Sequence, residues 1–258
     1  MSSHLPVSRQ HHGNRYWQRY SSYAFAATDA LALLALAELP KAAMALPITF
    51  IAQHDRFVPA ALMGLQTGQN LLVSPTGQWL GRYVPAAYRS YPFQLLKAED
   101  DQLVMCVDES SGLISDDAVG ERFFDDEGQP SEAISEVLSF LQQTHVSKQA
   151  AETPTAALQK FDLIRPWPLT IQSESGEQRV EGLFQVDEGA LNALPAEALA
   201  ELRNAGALVV AYCQLLSMQH LGELANLVTA RSTAAPTAPD NGANFGSQSE
   251  TFSFGNLS

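Results

Sequence analysis

The apolar residues change their period part-way along the chain, and this change limits the fold more than any motif does. Between Pro47 and Asp108 they come in short runs, β-branched and aromatic, with turn residues between them. After Ser131 they recur every three or four residues. The first pattern builds strands and the second builds helices. Strands are predicted over Pro47–Gln53, Tyr91–Lys97 and Gln102–Asp108. Asn70–Ser74 and Gln78–Tyr83 flank Pro75-Thr76-Gly77 and read as a hairpin. Short helices are expected at Glu38–Ala45 and Pro59–Leu65.

Later in the chain, Ser131 is suited to cap a helix whose apolar face runs through Ile134, Val137, Leu138 and Leu141. Thr153-Pro154 starts another. Trp167–Gln172 and Arg179–Val186 read as a strand pair. Asp187 caps a short helix, Pro195–Asn204 is a further one stopped by Gly206, and Ala207–Leu227 is the longest. That last helix should bury Leu208, Tyr212, Leu215, Leu216 and Leu224 on one broad face. Strands grouped early and helices grouped late give an α+β class: a mainly antiparallel sheet in the N-terminal half, packed with helices concentrated in the C-terminal half. Residues 1–21 read as a flexible polar lead, 22–230 as one domain, and 231–258 as a disordered tail rich in Ser, Thr, Pro, Gly and Asn.

With 28 acidic against 15 basic residues, the chain carries a formal charge of −13. Phosphate backbones and anionic lipid surfaces repel such a chain, so nucleic acid is not an expected partner. No run approaches the ~20 apolar residues of a membrane helix, so membrane insertion is not expected either. A cationic, peptide or protein partner fits better. Cys106 and Cys213 sit in apolar runs without metal-ligand spacing and read as buried thiols. Tyr23–Leu39 is rich in Ala and Leu, but Asp29 and Glu38 interrupt it, so it is a poor secretory signal. A cytoplasmic location is the expectation, with the cell surface, reached by a non-cleaved signal, as the alternative.

Several segments, in order, carry a resemblance. They include Leu46-Pro47-Ile48-Thr49-Phe50, Pro59 to Leu65, Gly77-Gln78-Trp79 leading to Tyr83-Val84-Pro85-Ala86, Arg89 and Tyr91-Pro92-Phe93, then Cys106-Val107-Asp108, Phe123-Phe124-Asp125, and Gly182-Leu183-Phe184. Together they span roughly residues 22–228 and resemble the SapC family of bacterial proteins, named for a surface-layer gene cluster. The chain departs from that pattern at Asn70-Leu71-Leu72-Val73, where a Phe would be expected. The resemblance implies kinship and fold. It brings no established reaction and no catalytic residues.

Trp79–Phe93 holds five of the chain's 22 aromatics, with Arg82 and Arg89 among them. Arginine stacked on an aromatic ring can offer its planar fork to a carboxylate or phosphate. The same residues could equally form an aromatic core with both arginines paired to acids. Trp79, Arg82, Tyr83, Arg89 and Tyr91 are therefore the candidate ligand-binding residues. Glu99–Glu136 carries 13 of the acidic residues and one basic residue, Arg122. It reads as a solvated acidic surface or as a dock for a basic segment; the spacing does not fit a calcium loop. His54-Asp55 would point to opposite faces of a strand and makes no catalytic pair. No zinc, iron, nucleotide or nucleophile-elbow motif is present, so no catalytic residue, metal or cofactor is assigned. The expected function is a non-catalytic binding or accessory protein that recognises a peptide, a protein partner or a small ligand. A surface-layer structural or export component is the alternative, and an enzyme with an unfamiliar site is a third reading.

Overall fold

The computed structural model describes residues 4–99, 101–173 and 176–234. At its centre is a five-stranded antiparallel sheet in the order Ile164–Pro166, Phe184–Val186, Ile48–Gln53, Arg56–Leu62, Leu31–Leu33. His54, with φ at 57°, and Asp55 form the tight turn between the two central strands, not adjacent positions on a strand as expected. The Ala- and Leu-rich composition of Pro59–Leu65 suggests helix, but residues 56–62 are a strand. The reason is tertiary: Ala60 and Ala61 are fully buried, and helix Glu152–Lys160 lies directly against that strand. Small side chains allow this close approach. Pro59, which has no N–H to donate, offers its carbonyl to the Leu34 N–H at 3.0 Å.

Helices Glu152–Lys160, Ala196–Asn204 and Ala207–Ser217 pack on one another, and the last of them covers strands Ile48–Gln53 and Phe184–Val186. Phe50, Leu158, Leu163, Leu202 and Ala211 are fully buried in the large core between these layers. Two polar residues pin helix to sheet there. Gln214 accepts from the Val186 N–H at 2.9 Å and donates to the Ile48 carbonyl, and Ser217 Oγ accepts from the Ile48 N–H at 2.8 Å. The α+β class holds, with antiparallel sheets mostly in the N-terminal half and helices mostly in the C-terminal half.

Three further expectations change. The predicted 70–83 hairpin keeps its turn but not its ladder, which is reduced to a single bridge from Val73 to Trp79. The strand pair beyond Trp167 divides into two: Thr170–Ser173 with Gly176–Arg179, and Ile164–Pro166 with Phe184–Val186. The predicted helix Ala207–Leu227 breaks at a 3-10 turn, Met218–His220, and resumes as Leu221–Ala234. Of its supposed buried face, Leu224 is inside, whereas Tyr212 and Leu216 face outward. Residues 231–234 belong to that final helix, and the Arg231 guanidinium donates to the Asn70 carbonyl at 2.8 Å. The remainder of the expected tail, 235–258, lies outside the described residues.

The largest correction concerns the first 21 residues. Residues 4–21 are no loose lead: they are tied into the fold. His4–Pro6 is the outer strand beside Leu103–Asp108, which pairs in turn with Phe93–Lys97. Tyr16–Trp17 is the middle strand between Ile114–Ser115 and Glu121–Arg122. Trp17 enters a second, smaller core with Phe93, Met105, Val107, Phe123 and Phe124, which the long helix Glu132–Ala150 helps to close through Ile134 and Leu141. Charge explains the docking. The chain has no Asp or Glu before Asp29, and this basic arm lies across the acidic region. His12, fully buried against the Phe123 ring, bonds Glu109 Oε1 through Nε2 at 2.8 Å. Arg15 reaches Glu109 at 2.7 Å and Asp116 at 3.1 Å. The dock for a basic segment is thus filled, at least in part, from within the chain.

Candidate functional site

The segment Gly77–Phe93 runs from the larger core to the smaller. Gly77 makes its turn at φ +80°, and a Cβ there would fall 2.0 Å from Ser22 Oγ, so only glycine fits. Trp79 follows, with its ring against Tyr23 and Tyr88 and its Nε1–H donating to the Tyr83 carbonyl at 3.0 Å. Tyr91 stacks flat on Phe25 at 3.8 Å between ring centres. Tyr88 is buried and donates to Asp29 at 3.0 Å; burial and that carboxylate push its phenol well above the ordinary range. Trp79 and Tyr91 are therefore members of an aromatic cluster with Tyr20, Tyr23, Phe25 and Tyr88, and they serve the fold.

The two arginines part company. Arg82 points away and pairs with Glu223 at 2.6 Å, with both side chains more than half exposed. Glu223 also meets His220, whose other ring nitrogen contacts the Ala43 carbonyl. Arg89, at the end of the short helix Ala86–Arg89, turns instead into a cleft of about 230 Å³. Its walls are the 35–41 segment, Tyr83, Ala86, and the Phe140–Ser147 face of the long helix.

Glu38 forms the floor of this cleft and is only 5% exposed. One carboxylate oxygen accepts from the Ala35 N–H at 2.7 Å. The other accepts from the Tyr83 hydroxyl and the Ala86 N–H, each at 2.8 Å. Burial first, then that hydrogen bond to Glu38, pushes the Tyr83 phenol above its ordinary range. The Arg89 guanidinium lies 5.8 Å from the Tyr83 ring centre and 5.1 Å from that of Phe140. Its polar contacts are long, 3.4 Å to the Tyr83 hydroxyl and 3.8 Å to Glu38. An arginine has five N–H donors in a rigid fork. Here the aromatic faces hold the fork in place, and its donors are left largely unspent. Lys41 stands on the rim. Half-buried Lys148 is near enough for Glu38 to favour its charge, although burial wins and pushes the ammonium down. In a chain of net charge −13, this cleft gathers cations.

A family model for SapC matches residues 7–224, most of the chain. The chain belongs to the SapC family. No curated protein and no solved structure matches it. The match begins inside the basic arm, consistent with the arm's place in the fold.

Of the five residues singled out in the sequence, the structure brings Tyr83 and Arg89 together at the cleft and places Trp79, Arg82 and Tyr91 elsewhere. Sequence reasoning missed Glu38, Phe140 and Lys148. A signal for the first was available: Asp29 and Glu38 are the two acids that interrupt the apolar Tyr23–Leu39 run. Each accepts a hydrogen bond from a tyrosine of the Gly77–Phe93 segment. Phe140 and Lys148 carried no comparable signal, since nothing local announces which helix face will meet a loop 50 residues earlier. Among the described residues, no cluster of three or more His, Cys, Asp or Glu is placed to hold a metal ion. No described helix is long and apolar enough to cross a membrane.

Proposed function

We propose that this SapC-family protein is a non-catalytic binding protein, and that its cleft receives the carboxylate or phosphate of a peptide, a partner segment or a small ligand on Arg89. The observation behind this is the state of Arg89: a guanidinium pre-oriented between two aromatic rings, lining a cleft, with no hydrogen bond shorter than 3.4 Å among the described residues. Pre-orientation lowers the entropy lost on binding, and bidentate pairing with an anion gives direction. The non-catalytic reading is supported by Glu38, the carboxylate at the cleft floor, whose acceptor sites are mostly taken up by three donors from the fold. A general base needs a lone pair facing the substrate.

Capture from a lysate of the host, with tagged wild type beside Arg89→Ala and Arg82→Ala, tests the reading. The Arg89 variant should lose the captured species at least tenfold, and the Arg82 variant should retain it. Equal capture by wild type and Arg89→Ala would refute the assignment of the cleft.

A further inference from the structure

The Arg89 cleft constrains its ligand by size and by charge. At about 230 Å³ it is smaller than the ~300–1,000 Å³ of pockets that enclose a drug-sized molecule. One end of a ligand enters it, and the rest stays outside. Among the described residues, its lining carries charge at Arg89, at Lys41 on the rim and at buried Glu38. Two cations against one carboxylate leave a surplus of a single positive charge. Lys148 is not part of the lining, and its burial works against the charge it could add. Gln143, Thr144 and Ser147 contribute neutral groups, and the Ser147 hydroxyl already accepts from the Ala37 N–H at 2.9 Å. Ala35, Ala37, Ala86 and Phe140 supply the apolar part of the wall.

Resting on the role of Arg89 argued above, we propose that the cleft is a monocarboxylate site: it takes a single carboxylate on a slim apolar stem and discriminates against phosphate. Charge decides the head group. A carboxylate brings one negative charge and cancels the surplus. A phosphate monoester carries roughly −1.5 to −2 at pH 7, so part of its charge goes unbalanced beside Glu38. Glu38 cannot turn away, because the Ala35 and Ala86 N–H groups and the Tyr83 hydroxyl hold it. It is also buried, so salt screens the repulsion little. The oxygens lead to the same choice. A carboxylate spends both of its oxygens on the guanidinium fork that the Tyr83 and Phe140 rings hold in place. A phosphate would leave a third oxygen to the neutral groups. The stem then lies against the apolar wall. A free short-chain acid and a glutamate side chain share this chemistry.

The test is a titration of the full chain at that pH and at constant ionic strength. The readout is the NMR signal of the Arg89 side-chain Nε–H, identified by its loss in Arg89→Lys. Three probes share a propyl stem: butyrate, butyramide and propyl phosphate. They are run to ~100 mM, because so small a ligand binds weakly. Butyrate should shift the signal saturably and butyramide should leave it unmoved. Propyl phosphate should bind about tenfold more weakly than butyrate. N-acetylglutamate N-methylamide separates the two sources: binding tighter than butyrate assigns the cleft to a peptide side chain, and weaker binding assigns it to a free acid. Gln143→Lys, at an exposed position of the long helix, adds a second surplus charge and should reverse the preference towards propyl phosphate. Propyl phosphate that binds the wild type as tightly as butyrate overturns the monocarboxylate assignment and leaves Arg89 an anion site. A preference that Gln143→Lys does not change overturns the assignment too, since charge would not be its cause. Butyramide that matches butyrate overturns both this proposal and the anion reading of Arg89. If no probe moves the signal, the proposal falls, and capture from the lysate decides the role of Arg89 by itself.

Discussion

Glu38 shows how one side chain can decide whether a loop has a shape. Its two oxygens hold three donors drawn from 35, 83 and 86, so the wall and floor of the cleft meet on a single carboxylate. Replacing Glu38 with Ala strands two backbone N–H groups and a phenol in a buried setting. At ~1–3 kcal/mol for each orphaned group, urea unfolding should show a loss of several kcal/mol. Arg89→Ala should behave differently. Its side chain is 43% exposed and its contact with Glu38 is 3.8 Å long, so stability should move by no more than ~1 kcal/mol while binding is lost. A large stability loss in Arg89→Ala would make it a structural residue. At this scale the sequence was readable in part. The arginines and aromatics of 77–93 announce a special segment, but which arginine is spent on a neighbour depends on Glu223, 141 residues away from Arg82.

Among the elements, the N-terminal arm and the acidic region work as one unit. Burial alone would raise Glu109, but the hydrogen bonds and charges of Arg15 and His12 outweigh it and hold the carboxyl below its usual range. The folded state therefore binds fewer protons at this site than the unfolded chain does. Its stabilising contribution is complete above an unfolded value of about 4.3 and is lost as the pH falls through the lower folded value. Glu109→Gln should thus be less stable than wild type by ~1–3 kcal/mol at pH 7, and the gap should narrow towards pH 3. A gap that does not change with pH in thermal melts would assign the effect to shape rather than charge. Ser131 offers a simpler case. Its hydroxyl oxygen accepts from the Ile134 N–H at 3.3 Å, and its O–H donates to the Arg122 carbonyl at 2.6 Å. Ser131→Ala should lower stability by ~1 kcal/mol. Caps of this kind were legible because they are local: Ser131 and Asp187 both cap as their sequence neighbourhood suggests. Pro59–Leu65 was misread because burial between a helix and a sheet overrode its composition. The arm was misread because its partner lies about a hundred residues away.

In the whole molecule, two apolar cores share the chain: a large one between the five-stranded sheet and its helices, and a small one closed by Trp17. Trp17→Ala should remove ~3–5 kcal/mol from the small core. Hydrogen exchange should then quicken through Leu103–Asp108 and leave Ile48–Leu62 little changed. Equal acceleration in both would mean that the cores open as a single cooperative unit. The fold class was legible from periodicity because period is a property of short windows. The division into two cores was not, since it rests on pairings such as His4 with Asp108. Those pairings also bear on how the protein is made. On the ribosome the arm emerges well before the strand it must join, which is translated about a hundred residues later. At ~5–20 residues per second, the arm waits ~5–20 seconds with Trp17 uncovered before Leu103–Asp108 exists to receive it. The small core therefore cannot close until Ile134 and Leu141 have also been made, and the nascent chain must stay soluble through that interval with its basic arm unmatched.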